Sequence, residues 1–532
     1  MKLSAPVSLV GLELHRDSTT ALHRQLYDGV RQAILAGQLV AGARLPSTRS
    51  LADTLEVSRN TVLLAYEQLL IEGYVRGKVG AGTYVASCLP DGLLRPPPMP
   101  MPSGPPGALS RPGGIFRRSG QRRPTNGSPR RPSQPGVPAP DVSRWRVWGR
   151  LLARSPRPFR IGVPALDAFP WKLWGRLLAR QWRSLSPALV GGKHPSGYRP
   201  LRELIAAYLR DARGLACTPD QVILVGGSQQ GLDLAARVLL GPRAAVWVEN
   251  PGYPWAHDLF HAAGARLIPV PVDAEGLDVA AAVTRYRHAR MALVTPSHQF
   301  PLGATMSVAR RLLLLQWASH ENAWILEDDY NSEYRYRGQP LPALQGLDRN
   351  GRVMYLGTLS KVLFPGWRLG YLVVPPDLID AFSTASFLAG YYPPILNQAV
   401  LADFIAEGHF GRHVRRMRSL YEERQGQLVE AAKRRLTGLL AVDTAEAGMH
   451  LVGWLPAGTS DVEAARHCAY QGIDVLPLSV CCVEKIRKHG LLLGYAAFDE
   501  RSIVDGVQQM AAALQRRDRK PSRQPIAASV EM

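Results

Sequence analysis

A lysine with hydroxyls just before it and a guanidinium just after it has the parts of a carbonyl-cofactor site. In YLGTLSKVLFPGWRLG, Lys361 follows Thr358 and Ser360 and precedes Pro365, Gly366 and Arg368. A lysine that forms a Schiff base with an aldehyde cofactor needs the cofactor's phosphate anchored nearby. Thr358 and Ser360 offer hydroxyls, and Arg368 offers a fork matched to phosphate oxygens. Upstream, ILEDDYNSEY reads as a buried strand running into a loop, and a period of two puts Asp328 and Tyr330 on one side and Asp329 on the other. An aspartate beneath a pyridine ring keeps the ring nitrogen protonated, which makes the ring an electron sink. A tyrosine can hydrogen-bond the ring's phenolic oxygen. Either run alone is an ordinary solvated loop. Together, with Arg368 seven residues past the lysine, they describe a pyridoxal 5'-phosphate site.

The elements that must hold such a site are legible around it. From about residue 156 the chain alternates strands and helices, the α/β pattern. QVILVGGSQQGLDLAARVLL reads as strand, glycine turn, helix. Gly226 and Gly227 allow the tight turn, while Ser228 and Gln229 open a helix whose N-terminal N–H groups suit a phosphate. The runs AAVWVENPGYPW, ARLIPVPVD, MALVTPSHQFPLG, AWILEDDY and RVMYLGTLSK are near-continuously apolar strands, as expected in a sheet covered on both faces. Beyond residue 375, AGMHLVGWL and GLLLGYAAF are strands of a smaller C-terminal α/β part.

A different unit precedes these. Leu22, Leu26, Val30, Ala33 and Ile34 recur at helical spacing, with Gly37 as a stop. Ser47 caps a helix over 48–55, Val57 fills a turn, and Ser58 caps a second helix over 59–72. Tyr74–Val75 and Thr83–Val85 then alternate as short strands around Gly77, Gly80 and Gly82. This is a winged helix-turn-helix. Its second helix would enter a major groove by its N-terminal end, which puts Ser58, Arg59, Asn60 and Thr61 at base edges or phosphate. Arg49 is placed for the backbone, and the wing tip from Lys78 through Gly80 to Gly82 for a minor groove. A small helical domain for partner binding is the alternative.

Charge separates the two units. The net charge is +21, and residues 90–160 carry fourteen arginines against two acids, a net +12. The tail 515–532 adds a net +3. Basic arms of this kind suit a polyanionic partner or simple solvation. PPPMPMPSGPPG and SPRRPSQPGVPAP read as a disordered linker. Near its end WRVWGRLLAR (145–154) closely repeats WKLWGRLLAR (171–180), for which the sequence supplies no role. The five cysteines form no C-x-x-C pair and no metal-ligand spacing, in keeping with a reducing cytoplasm, and no metal is expected. Vicinal Cys481 and Cys482 read as buried thiols. No apolar run is long enough to span a membrane, and the start lacks a signal-peptide core.

EDDYNSEY and GTLSKVLFPGWRLGY resemble the MocR/GabR group of regulators within the GntR family. LPSTRSLA…VSRNTV…AYEQL…GYV…GAGTYV resembles the GntR-type DNA-binding domain over about residues 15–86. The resemblance implies a multidomain chain: a winged helix-turn-helix (15–86), a basic linker (87–155), a fold-type I aminotransferase class I/II-like domain (156–515) and a basic tail (516–532). It implies that Lys361 holds the cofactor as an aldimine, that Tyr253 stacks on the ring, and that Ser228 helps hold the phosphate. A homodimer is implied as well, since fold-type I sites form at subunit interfaces.

Two departures from the related enzymes bear on activity. Their Q-N-P-x-G loop uses an asparagine to donate to the cofactor's phenolic oxygen, and TPSHQFPLG places Phe300 there, with His298 as a possible substitute or a structural histidine. Their C-terminal arginine grips the substrate α-carboxylate, and GLLLGYAAF presents Leu492 there, with Arg487 close in sequence but out of register. The reading is a regulator that binds a double-stranded DNA operator and senses an amine or amino-acid-like effector with little or no turnover. The rivals are a catalytically active aminotransferase carrying a DNA-binding module and a cofactor-free scaffold.

Overall fold

The computed structural model describes residues 22–35, 38–40, 42–71, 74–78, 82–85, 155–191, 195–336, 342–390, 393–486 and 488–515. Residues 87–154 of the expected linker, its near-repeat, the tail after 515, Gly37, Gly80 and Arg487 lie outside them.

The first unit is built from α1 (Leu22–Leu35), α2 (Thr48–Thr54), α3 (Arg59–Ile71), β1 (Val75–Lys78) and β2 (Gly82–Val85). Leu26, Val30 and Ile34 of α1 are buried, and they share a core with Leu51, Val62, Ala65, Tyr66, Tyr74 and Val85. Leu22 and Ala33 stay half-exposed at the edge of that stripe. Ser47 Oγ accepts the Ser50 N–H at 3.1 Å, and Ser58 Oγ accepts the Thr61 N–H at 3.1 Å. Each satisfies an amide that the first turn of a helix leaves unpaired. β1 and β2 pair antiparallel from Val75↔Val85 to Lys78↔Gly82.

The second unit centres on an eight-stranded sheet in the order β3-β10-β9-β8-β7-β4-β5-β6. Its strands are β3 (Val222–Val225), β4 (Ala245–Asn250), β5 (Arg266–Asp273), β6 (Gly276–Leu277), β7 (Met291–Val294), β8 (Trp324–Asp329), β9 (Val353–Thr358) and β10 (Gly370–Val373). The run from β5 through β4, β7 and β8 to β9 is parallel, while β10 runs antiparallel to both β9 and β3. Helices cover both faces, so β3, β7, β9 and β10 are buried at every position. Helix Ser228–Leu239 lies so close to the sheet that a Cβ on Gly231 would stand 2.5 Å from Leu356 Cδ1. That approach fixes where the helix's N-terminus ends up.

The smaller C-terminal part is a four-stranded antiparallel sheet, β11 (Ala441–Val442), β12 (His450–Trp454), β14 (Gly490–Gly494) and β13 (Leu476–Pro477) in that order. Helices His409–Arg435 and Glu500–Gln515 contribute to its core. The first described residues of this unit attach here. Phe159 is buried and its carbonyl accepts the Gly494 N–H at 2.8 Å, while Arg160 Nε donates to Asp474 Oδ2 at 2.9 Å.

Candidate cofactor site and DNA-binding surface

Lys361 follows β9, and its Nζ donates to the Gly162 carbonyl at 2.9 Å. The apolar surroundings push the amine down to about 8, with Asp328 pulling the other way. Gly162 has φ +74°, and a Cβ there would stand 2.6 Å from Nζ. Only glycine gives the amine this seat without displacing it.

Asp328 lies near the C-terminal end of β8. Its Oδ1 is buried with no hydrogen-bond partner among the described residues, and burial pushes its carboxyl up to about 7, helped by Asp329 and Glu249. Asp329 is satisfied instead: Tyr355 O–H donates to its Oδ2 at 2.6 Å and the Ser332 N–H to its Oδ1 at 3.1 Å. Glu249, at the end of β4, accepts from Thr295 N (3.0 Å), Thr295 Oγ1 (2.6 Å) and Gln299 Nε2 (3.1 Å). Burial nevertheless raises it to about 7. An orphaned buried carboxylate oxygen is costly unless a donor arrives, and a protonated ring nitrogen is such a donor.

The phosphate end is formed where three elements meet. Val225, Gly370 and Thr358 are register neighbours across β3, β10 and β9. Gly227 (φ +102°) turns the chain into helix Ser228–Leu239, and a Cβ on Gly370 would stand 3.2 Å from Gly227 Cα. A Cβ on Gly227 would lie 4.0 Å from Arg368 Cζ. The Arg368 guanidinium makes no hydrogen bond or ion pair among the described residues. Thr358 Oγ1 accepts the Ser360 N–H at 3.3 Å. An unpaired cation beside a glycine-walled helix N-terminus fits a phosphate. Gln229 has another employment, donating Nε2–H to Tyr253 Oη at 3.1 Å.

Aromatic rings close the other side. Phe300 stands edge-on to Tyr253 (centroids 5.7 Å) and to Tyr330 (5.8 Å), and lies 5.5 Å from His450. Leu492 of β14 is fully buried in the same apolar cluster as Phe300, Leu476, Leu478 and Cys481. The two departures read from the sequence therefore pack together. His298 lies within hydrogen-bond distance of Tyr330, Nδ1 to Oη 2.8 Å, and its Nε2 lies 3.2 Å from the Ala447 carbonyl. Burial depresses it to about 3.

Gly162, Glu249 and His450 escaped the sequence reading. His450 is buried on β12, donates Nε2–H to the Pro301 carbonyl at 3.1 Å, and is depressed to about 4 by burial and secondarily by Lys361. A histidine inside the otherwise apolar HLVGW was the available signal. Gly162 and Glu249 act through tertiary contacts that local sequence does not announce.

In the first unit, Arg49, Ser58, Arg59 and Asn60 are exposed and Thr61 half-exposed around the N-termini of α2 and α3. Arg59 Nε lies 3.4 Å from Thr48 Oγ1. Lys78 ends β1.

Residues 22–85 match the description "Bacterial regulatory proteins, gntR family", and residues 186–492 match "Aminotransferase class I and II". The fold is that of a GntR winged helix fused to a fold-type I aminotransferase-like domain, whose cofactor is pyridoxal 5'-phosphate. The chain is 41% identical to a protein of Rhizobium meliloti described as "Probable rhizopine catabolism regulatory protein MocR", over 94% of this chain and 95% of that one. It is 30% identical to the "HTH-type pyridoxine biosynthesis transcriptional regulator PdxR" of Corynebacterium glutamicum, over 92% and 96%. Among solved structures, Pyrococcus horikoshii kynurenine aminotransferase aligns with TM-score 0.65 at 26% identity, covering 71% of this chain and 95% of that one. The α-aminoadipate aminotransferase LysN of Thermus thermophilus aligns with TM-score 0.64 at 29% identity, covering 69% and 94%. The chain belongs to the MocR-type group of GntR transcriptional regulators. No helix among the described residues is long and apolar enough to cross a membrane.

Proposed function

We propose that the large unit binds an amine or amino-acid-like effector at pyridoxal phosphate linked to Lys361, and that this event alters how the first unit engages a double-stranded operator. The observation that carries the reading is the buried, unpartnered Oδ1 of Asp328 in the same electrostatic neighbourhood as the Lys361 amine. When bound, the cofactor supplies an electrophilic carbonyl carbon and a ring that withdraws electrons.

The chain's residues divide the remaining work. Asp328 Oδ1 would accept the ring nitrogen's N–H. Arg368, Ser228, Thr358, Ser360 and the amides that open helix Ser228–Leu239 would hold the phosphate. Tyr253, braced by Gln229, would pack on the ring face, and Tyr330 would lie toward the phenolic oxygen. Lys361, held at Gly162 with a depressed proton affinity, is a nucleophile near neutral pH. Phe300 and Leu492 put apolar surface where the related enzymes place an asparagine and a carboxylate clamp, which favours binding over turnover.

Arg49, Ser58, Arg59, Asn60, Thr61, Lys78 and Gly80 are the proposed DNA contacts, in a division of the chain at 15–86, 87–155, 156–515 and 516–532. A cytoplasmic homodimer pairs two such heads on two half-sites. The test is borohydride reduction of the loaded full-length chain, peptide mapping, and a DNA-mobility assay with and without amines. Label at Lys361, and an amine response that Lys361→Ala abolishes while DNA binding persists, is the expected result. Label on another lysine, or an unchanged response in the variant, overturns it.

A further inference from the structure

His298 is enclosed on every side that matters. A Cβ on Gly448 (φ +109°) would stand 2.7 Å from its Nε2 and Cε1, and one on Gly303 (φ +79°) would stand 3.3 Å from Nε2. The glycines leave the ring its room, and the contacts of its two nitrogens with Tyr330 and the Ala447 carbonyl set its orientation. The Ala447 carbonyl, 3.2 Å from Nε2, can only accept, so Nε2 carries the hydrogen. Nδ1 is then a lone pair, 2.8 Å from Tyr330 Oη, and the only hydrogen between them belongs to the phenol.

From these contacts we infer that His298 is a positioning residue that claims the Tyr330 hydroxyl hydrogen, turning Tyr330 toward the cofactor as an acceptor and not a donor. The inference rests on the proposed placement of the cofactor against Asp328 and Tyr330.

The charged and titratable groups around the pair leave this direction in place. Asp328, Glu249 and Asp329 act on Tyr330 with a sign that keeps the phenol protonated, as does its burial. The Asn331 carboxamide acts with the opposite sign, as a donor to the phenol oxygen would, which is compatible with the phenol hydrogen going to His298, although neither Asn331 polar atom makes a hydrogen bond of normal geometry among the described residues. His450 and Arg335 disfavour a proton on His298, Asp329 and the Ala447 carbonyl favour one, and burial outweighs them all. A neutral imidazole with Nε2–H is the outcome. Redirecting the phenol hydrogen to the cofactor would leave a buried nitrogen lone pair without a donor.

The consequence is readable in the cofactor's spectrum. Donors to a phenolic oxygen stabilise its anion and lower the proton affinity of the nitrogen conjugated to it. With Phe300 beside Tyr330 and the Tyr330 hydrogen committed to His298, neither supplies that donor. The lysine-bound chromophore then keeps its proton to higher pH than it would with Tyr330 donating.

The experiment is a visible-absorbance pH titration of loaded full-length protein. Tyr330→Phe removes no donor to the cofactor, so it should not raise the transition. His298→Leu frees the hydroxyl and should lower the transition by about one pH unit, a tenfold change in proton affinity. His298→Asn, which retains an acceptor for Tyr330, should restore the native value, and Tyr330→Phe added to His298→Leu should restore it too. A rise of about one unit in Tyr330→Phe alone overturns the inference, as does an unmoved transition in folded, loaded His298→Leu. If His298→Leu fails to fold or load, the Tyr330→Phe titration decides by itself. Native cofactor affinity in Asp328→Asn would instead unseat the pocket placement, a separate signal.

Discussion

Asp328 and Asp329 are adjacent in the chain and opposite in circumstance: Tyr355 O–H donates to Asp329 at 2.6 Å, while Asp328 Oδ1 is buried with no hydrogen-bond partner among the described residues. Asp328→Asn should weaken pyridoxal phosphate binding at least tenfold, the scale of one charge-assisted hydrogen bond of about 1.5–3 kcal/mol. Asp329→Asn should leave cofactor affinity near native and lower the melting temperature. Equilibrium dialysis and thermal melts separate the two, and equal losses of affinity would refute the assignment.

The same aspartate sets a pH dependence in the cofactor-free protein. Its folded value is about 7 against an ordinary 3.8, so between those limits the folded chain binds a proton that the unfolded chain releases. Native stability from this group therefore falls as pH rises through that window. Asp328→Asn lacks the slope, so its stability relative to native should grow from pH 4 to pH 7. Urea titrations at the two ends measure it, and a difference that shrinks with rising pH has the wrong sign.

Lys361 reacts as the neutral amine, so covalent uptake of cofactor by the apo-protein should speed up with pH and level off above about 8. Gly162→Ala pushes a Cβ into the Nζ position and should slow uptake while phosphate-end binding persists. Stopped-flow absorbance follows both. An alanine variant with native rates would show that the Gly162 seat is irrelevant to the amine.

Phe300 and Leu492 share one buried cluster. Spectral responses to a cognate amine should therefore come with little keto-acid product over many minutes. Efficient multiple turnover with a common amino-acid and keto-acid pair would favour the enzyme reading. Phe300→Asn should also cost stability, because it trades ring contacts with Tyr253, Tyr330 and His450 for a buried amide.

At the other unit, Arg59→Ala should relax or abolish sequence-specific DNA binding, at a cost of about 1–3 kcal/mol if the side chain reaches a base edge. Deleting part of the arginine-rich 111–131 stretch should lower the salt dependence and keep the sequence preference. Mobility assays at several ionic strengths read both effects, and an unchanged salt slope would assign that charge to solvation.

The sequence made the winged helix and the α/β order readable because both rest on local signals: capping serines, helical periodicity and apolar strand runs. Helix ends shifted only slightly, with α2 closing at Thr54 and α3 at Ile71, and the first wing strand runs Val75–Lys78, past the expected Val75. The lysine, aspartate and arginine could be named because their spacing along two strand ends is itself a pattern. The seat of the amine could not be. Gly162 is far from Lys361 in sequence, and no periodicity connects a carbonyl in one loop to a side chain in another. His298 illustrates the same limit, since its role depends on Ala447, Gly303 and Gly448 converging from separate elements.

Phe159 and Arg160 anchor to Gly494 and Asp474, and two residues later the Gly162 carbonyl takes a hydrogen from Lys361. They lie just past residue 155, where the described chain resumes after Val85. Two residues past that anchor, this segment is held by the amine proposed to carry the cofactor. Linkage of Lys361 to a cofactor would change the hydrogens on Nζ and with them its hold on the Gly162 carbonyl, so the state of the cofactor should register in how firmly this segment is seated.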